Sequence, residues 1–184
     1  MCSVRSRSTA RLQSPTLRIT RRRVSSGVSA FDRRRTAWRT SGSRAHAGGC
    51  VCGCVRYVAK GDPLRVTVCH CTWCQRRTGT AFAVEPVFND EQVEITGGPL
   101  TRYRHISDVS GRWLDVEFCP RCGTNIGLTL EWRPGVRLID AGTFDDPSWI
   151  RADRHHFRYI FLRSAQRWSE VPEGAECYDE HFAK

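Results

Sequence analysis

The chain has 184 residues, 29 of them basic and 19 acidic, for a formal net charge of +10 and a mean hydropathy of −0.46. Twelve of the basic residues and one acid, Asp32, fall in residues 1–46, so this head carries +11 and the remainder −1. A strongly basic globular surface for nucleic acid is thereby excluded for the body, and no run approaches the ~18 continuous apolar residues of a membrane span.

The head is rich in Arg and Ser and includes Arg21-Arg22-Arg23 and Arg33-Arg34-Arg35. It contains no apolar stretch like the core of a secretory signal, and its composition fits a disordered basic tail or an organelle transit peptide. The expected location is the cytoplasm, or an organelle if residues 1–46 are such a peptide. Residues 47–184 are long enough for one domain with its own core.

Gly48-Gly49 opens the folded part. Short runs rich in Val, Ile, Thr and aromatics follow, and they predict strands over 54–59, 64–70, 81–88, 92–96, 101–106, 112–118, 125–132, 136–141 and 157–163. Turn residues punctuate them, as in Gly61-Asp62-Pro63, Gly97-Gly98-Pro99 and Asp145-Asp146-Pro147. Only 72–78 and a turn over 147–150 read as helical. The fold class expected is mainly β, built from small antiparallel sheets with few short helices and a disordered N-terminal head.

Seven of the ten cysteines lie in three tight clusters: Cys50 and Cys52; Cys69, Cys71 and Cys74; Cys119 and Cys122. Cysteines one or two residues apart do not readily bridge each other without strain, whereas a metal needs several thiolates to converge. Cys50-Val51-Cys52 and Cys119-Pro120-Arg121-Cys122-Gly123 read as two knuckles that together close a tetrahedral Cys₄ shell, which has no vacancy and points to a structural zinc.

Cys69, Cys71 and Cys74 form a trio that can converge from a strand end and the first turn of a helix. A three-thiolate zinc keeps one position open, the layout of a catalytic centre. His70, Cys54 or a distant residue are the other candidates for that position. His70, flanked by ligands on a strand, should point to the opposite face, and Cys54 reads as a small buried residue. A thiolate-rich zinc suits exchange of a soft sulfur ligand, so thiol chemistry is expected rather than hydrolysis. Arg76 and Arg77 are candidates to pair with a substrate carboxylate, or are solvated surface charges. Trp73 either walls the open site or packs on the cluster. Phe144 and Asp145-Asp146-Pro147 read as a turn.

Three ordered blocks carry a resemblance. They are Gly49-Cys50-Val51-Cys52-Gly53-Cys54-Val55-Arg56-Tyr57, Cys69-His70-Cys71-Thr72-Trp73-Cys74-Gln75-Arg76-Arg77-Thr78-Gly79 and Phe118-Cys119-Pro120-Arg121-Cys122-Gly123-Thr124. With Ala141-Gly142-Thr143-Phe144-Asp145-Asp146-Pro147 and Ser164-Ala165-Gln166-Arg167-Trp168, the body resembles the glutathione-dependent formaldehyde-activating enzyme family, which includes centromere protein V-like members. The resemblance implies a zinc-stabilised β-tent, a structural Zn²⁺ on Cys50, Cys52, Cys119 and Cys122, and a catalytic Zn²⁺ on Cys69, Cys71 and Cys74. It also implies a carbon–sulfur lyase acting on thiol–aldehyde adducts, such as S-hydroxymethylglutathione formed from glutathione and formaldehyde. Two positions depart from the pattern. Tyr159 stands where many relatives have His, and Cys54 where a small residue is commoner. The alternative reading is a non-catalytic zinc-binding module whose basic head binds nucleic acid or another partner.

Overall fold

The structure, a computed structural model, describes residues 44–182. Residues 1–43, and with them nearly all of the basic head and Cys2, lie outside the described residues, as do 183–184.

Strands β1 (Ala45–Gly49), β2 (Arg56–Lys60) and β5 (Val93–Ile95) form a three-stranded antiparallel sheet in the order β1-β2-β5. The other strands are β3 (Arg65–Cys69), β4 (Ala83–Asn89), β6 (Thr101–Ile106), β7 (Trp113–Phe118), β8 (Asn125–Leu130), β9 (Val136–Ile139), β10 (Phe157–Ile160) and β11 (Glu176–Cys177). They make a second sheet in the order β11-β10-β3-β4-β9-β8-β7-β6. The single described α-helix, α1 (Thr72–Thr78), covers the residues expected of it. The mainly β class is thus as the sequence indicates.

Three features differ from the sequence reading. β1 begins at Ala45, two residues before the expected start of the body, because Ala45-His46-Ala47-Gly48-Gly49 has almost none of the β-branched residues that announce a strand. β11 is only two residues long and falls below any periodic signal. Although the ladders are otherwise antiparallel, β10 pairs in parallel with both β3 and β11. The connection over 140–156 is long enough to bring β10 in from the same end as β3.

Alternation along the strands gives the larger sheet two different faces. On one, Phe88 and Ile139 join Tyr57 and Ala59 of the smaller sheet, with Val55 and Phe144, in the main core. Cys50 and Cys119 belong to the same core. Further along that face the buried acids Glu117 and Asp115 are met by arginines. Arg137 donates to Glu117 and to Asp90 (2.7 Å), Arg102 to Glu117 (2.9 Å), and Arg104 to both oxygens of Asp115 (2.7 Å each). On the opposite face Val87, Leu128, Leu130 and Leu138 form an apolar floor against which Trp73 packs. Among the described residues no helix is long and apolar enough to cross a membrane.

At Gly127 β8 and β9 approach with no room for a side chain. A Cβ at this position would lie 1.9 Å from the Leu138 carbonyl oxygen. Gly127→Ala should therefore push β8 off β9 and cost about 3 kcal/mol, measured by urea denaturation. A loss below about 1 kcal/mol would show that the ladder relaxes around the methyl group.

Candidate functional site

Two tight turns gather the first four sulfurs. Cys50 follows β1 and Cys119 follows β7, and each turn closes on a glycine in the left-handed region, Gly53 at φ +73° and Gly123 at φ +72°. The Gly53 N–H donates to the Cys50 carbonyl (3.0 Å) and the Gly123 N–H to the Cys119 carbonyl (2.9 Å). The Sγ atoms of Cys50, Cys52, Cys119 and Cys122 consequently all lie within 4.8 Å of one another. Cys50 and Cys52 are 3.5 Å apart, and Cys52 and Cys119 3.8 Å apart. A tetrahedral ion with zinc–sulfur bonds of about 2.3 Å needs edges of about 3.8 Å, so this donor set fits zinc. Further hydrogen bonds suit sulfurs that carry charge. The Val55 N–H donates to Cys50 Sγ (3.2 Å), and the Thr124 hydroxyl, 3.1 Å from Cys122 Sγ, draws that thiol down to about 5.

The trio is assembled by one strand end and one helix start. Cys69 closes β3, Cys71 is the N-cap of α1, and Cys74 lies in its first turn. The Cys74 N–H donates to Cys71 Sγ at 3.3 Å. Hydrogen bonds from the Cys69 and Cys74 thiols hold Cys71 down to about 3, and the same bonds, with burial, push Cys69 and Cys74 upward. A thiolate is therefore already favoured at the point where the three sulfurs meet, all within 4.8 Å. Among the described residues no fourth histidine, cysteine or carboxylate joins them.

The other residues weighed for that position are elsewhere. His70 is 1 % exposed and packs its ring against Phe82 and Tyr159, with centroids 5.0 and 6.4 Å away. Cys54 packs against the main core, next to Gly98. Tyr159 pairs with Val68, whereas Ile160 pairs with Cys69. By strand alternation Tyr159 faces away from the trio, so the departure at that position does not alter the space in front of the sulfurs.

That space is a cavity of about 540 Å³, within the range of about 300–1,000 Å³ usual for small-molecule sites. Cys69, Cys71 and Cys74 line it, and Trp73, stacked on His105 at 4.8 Å between centroids, forms one wall. A second depression, of about 700 Å³, is bordered by Thr80, Gly123, Asn125 and Pro147. None of the clustered sulfurs lines it, whereas the trio opens onto the smaller one.

The structure places the two arginines differently. Arg77 is not a free cation awaiting a carboxylate. Its side chain is 6 % exposed and is held by two acids of this chain. It donates to Glu85 (2.5 Å) and to both oxygens of Asp140 (3.0 and 3.1 Å). Arg76 is exposed and does not line the cavity. Glu85 and Asp140 escaped the sequence reading, although an acid inside the apolar run Ala83-Val84-Glu85-Pro86-Val87-Phe88 is itself a sign of a buried partner. Gln75 also escaped it. Its amide donates to the carbonyls of His70 (2.6 Å) and Ser164 (2.9 Å), which ties α1 to the segment after β10. Phe144 is in the core, Asp145 pairs with Arg56, and Asp146 caps the Ser148 N–H, so that block is a turn.

A β-sheet scaffold with one closed tetrad and one unsaturated trio of cysteine sulfurs defines a protein with two thiolate clusters compatible with zinc, one of them opening into a ligand-sized cavity. Residues 45–159 match the family described as glutathione-dependent formaldehyde-activating enzyme, and the chain belongs to that family. Among solved structures, a Rhodobacter sphaeroides protein is similar at 19 % identity and a TM-score of 0.44, over 58 % of this chain and 92 % of that one. A comparison with curated proteins gives no match.

Removing the Arg77 cation would leave Glu85 and Asp140 buried without a partner. Arg77→Met should cost about 3–5 kcal/mol. Burial raises Glu85 to about 7 from an ordinary 4.5, with Arg77 opposing the rise. A carboxyl raised on folding contributes stability that is present below its unfolded value and lost as pH rises through the folded one. The variant's deficit should thus grow between pH 5 and pH 8 when urea denaturation is followed at both. A deficit independent of pH would place the loss in packing instead.

Proposed function

We propose that the protein is a zinc-dependent carbon–sulfur lyase-type enzyme acting on thiol–aldehyde adducts, with formation of S-hydroxymethylglutathione from glutathione and formaldehyde as its reaction. The observation that carries this reading is the trio: three converging sulfurs, no fourth donor among the described residues, and a cavity directly in front. Family membership supports the two substrates. In this reading Cys50, Cys52, Cys119 and Cys122 hold a structural ion, and Cys69, Cys71 and Cys74 hold the catalytic one.

An ion on the trio would supply a position that favours the thiolate form of an incoming thiol. The rest is work for the chain. Cys71, capping α1, keeps the trio fixed through the Cys74 N–H. Arg77, bound to Asp140 and Glu85, anchors the last turn of that helix, so the sulfurs sit on a rigid support. Trp73 and the leucine floor exclude water from one side, which favours addition of sulfur to the aldehyde carbon over hydration. In the addition a carbon–sulfur bond forms and the carbonyl π bond breaks. The thiol releases one proton and the new hydroxyl takes up one, so no oxidant or reductant is required.

The uncatalysed addition is itself fast, so the assay must resolve exchange. Two-dimensional exchange NMR of glutathione and formaldehyde should show interconversion accelerated by the full-length, zinc-loaded protein. Cys71→Ser should lower that acceleration at least about 100-fold, since loss of outer-shell partners alone costs 10–100-fold at metal sites. Cys119→Ser, which breaks the tetrad, should instead unfold the domain. No acceleration above the buffer rate by protein carrying two zinc ions would overturn the proposal.

A further inference from the structure

Among the described residues, the polar groups on the cavity face of β3 have no hydrogen-bond partner. Arg65, Thr67 and Cys69 alternate with the buried Val66 and Val68, so the three share one face of the strand, and all three line the cavity. Thr67 is 4 % exposed, yet its hydroxyl makes no hydrogen bond. The buried Nε of Arg65 has no acceptor, and among the described residues no carboxylate lies within ion-pair distance of its guanidinium, which rests over the Phe182 ring at 5.3 Å. The neighbours of Thr67 across the ladder do not satisfy it and bond elsewhere. Arg158 donates to Glu176 (2.8 Å), and Glu85 accepts from Arg77.

The charge balance of the cavity points the same way. Its acids Glu85 and Glu180 are paired with Arg77 and Arg163, which leaves Asp108 against Arg65, Arg112 and Arg133. Burial, with Arg133 and Arg158 close by and Glu176 opposing them, holds the Arg65 guanidinium below its ordinary value, a cost that a bound anion would offset.

We propose that the cavity face of β3 is a recognition track for a peptide-sized acidic thiol: Arg65 binds a carboxylate of the substrate, Thr67 donates a hydrogen bond to one of its amide carbonyls, and the substrate sulfur reaches the Cys69 end. This rests on the reading of the trio as a thiol site, and it assigns the selectivity of that site. Arg65 and Cys69 are separated by about 13 Å of extended strand. In glutathione the thiol sits on the central residue, so its sulfur reaches the farther carboxylate over about 9 Å, and the arginine side chain closes the remainder. A single amino-acid thiol is too short to engage both ends, and a neutral thiol gains nothing from Arg65.

Binding and turnover test the track separately. S-Methylglutathione has no free thiol to react, and calorimetry on the full-length, zinc-loaded protein reports its affinity without turnover. Arg65→Gln should weaken it about 10-fold or more, Thr67→Val by less, and Arg65→Lys should restore part of the loss. The diethyl ester of S-methylglutathione should bind wild type and Arg65→Gln alike, and wild type more weakly than the free acid. In turnover with formaldehyde, Arg65→Gln should raise KM for glutathione and leave kcat unchanged, with metal content equal to wild type. An affinity within about twofold of wild type in Arg65→Gln, or an ester that binds wild type as well as the acid does, would overturn the track. The ester comparison needs no variant and so decides the matter even if Arg65→Gln fails to fold. Loss of S-methylglutathione binding in Arg65→Gln, with no turnover by wild type, would leave the track standing and remove the lyase chemistry. Turnover with an unchanged KM in Arg65→Gln would do the reverse. Neither binding nor turnover by wild type would sink both.

Discussion

Thiolates repel one another, and a fold that brings several of them to one point must offer something to hold them there. This constraint organises the body of the protein. Cys52 and Cys119 are 67 positions apart, yet their sulfurs lie 3.8 Å from each other. To achieve this, the ends of β1 and β7 must meet, and each chain must reverse within a few residues, at Gly53 and Gly123. Because Cys50 and Cys119 are also core residues, packed with Tyr57 and Phe144, the tetrad is continuous with the hydrophobic contact between the two sheets. An ion held by the tetrad would therefore couple metal binding to core formation, as expected where a site does not exist in the unfolded chain.

The trio obeys the same constraint with a different outcome. Its three sulfurs come from one short segment, so local geometry is enough to gather them, and among the described residues no distant strand contributes a fourth. What the rest of the fold contributes is position. Arg77 is clamped by Asp140 from beyond β9 and by Glu85 from β4, and Gln75 is clamped by Ser164 from beyond β10. These buried polar contacts hold α1 against the sheet, with Trp73 over the leucine floor. The open side of the trio then faces the cavity along β3. On the proposed reading structural and chemical roles are divided: the tetrad closes the domain, and the charged cluster under α1 aims the trio.

Much of the architecture was legible because it depends on near neighbours. Strand runs such as Thr101–Ile106 and the helix Thr72–Thr78 follow from local composition and turn residues. The partition of seven cysteines into four and three follows from their spacing. β1 and the parallel placement of β10 were not legible, since Ala-Gly sequences carry no strand signal and pairing partners are chosen by the whole sheet. The roles of the arginines were illegible for a related reason. Arg76 and Arg77 are chemically identical in sequence, but α1 turns one to solvent and the other onto Glu85 and Asp140.

The residues alone determined which atoms can bind a metal, how many they are, and that two separate clusters exist, because sulfur donors and their spacing are written into the chain. Tertiary structure decided which cations remain available. Arg77 is neutralised by acids on other elements, while Arg65, four positions before a cluster cysteine on a strand, faces the cavity with its Nε lacking an acceptor among the described residues. The difference is physical. Metal ligation can be arranged within a few residues, but whether a charge is satisfied depends on every element that folds against it.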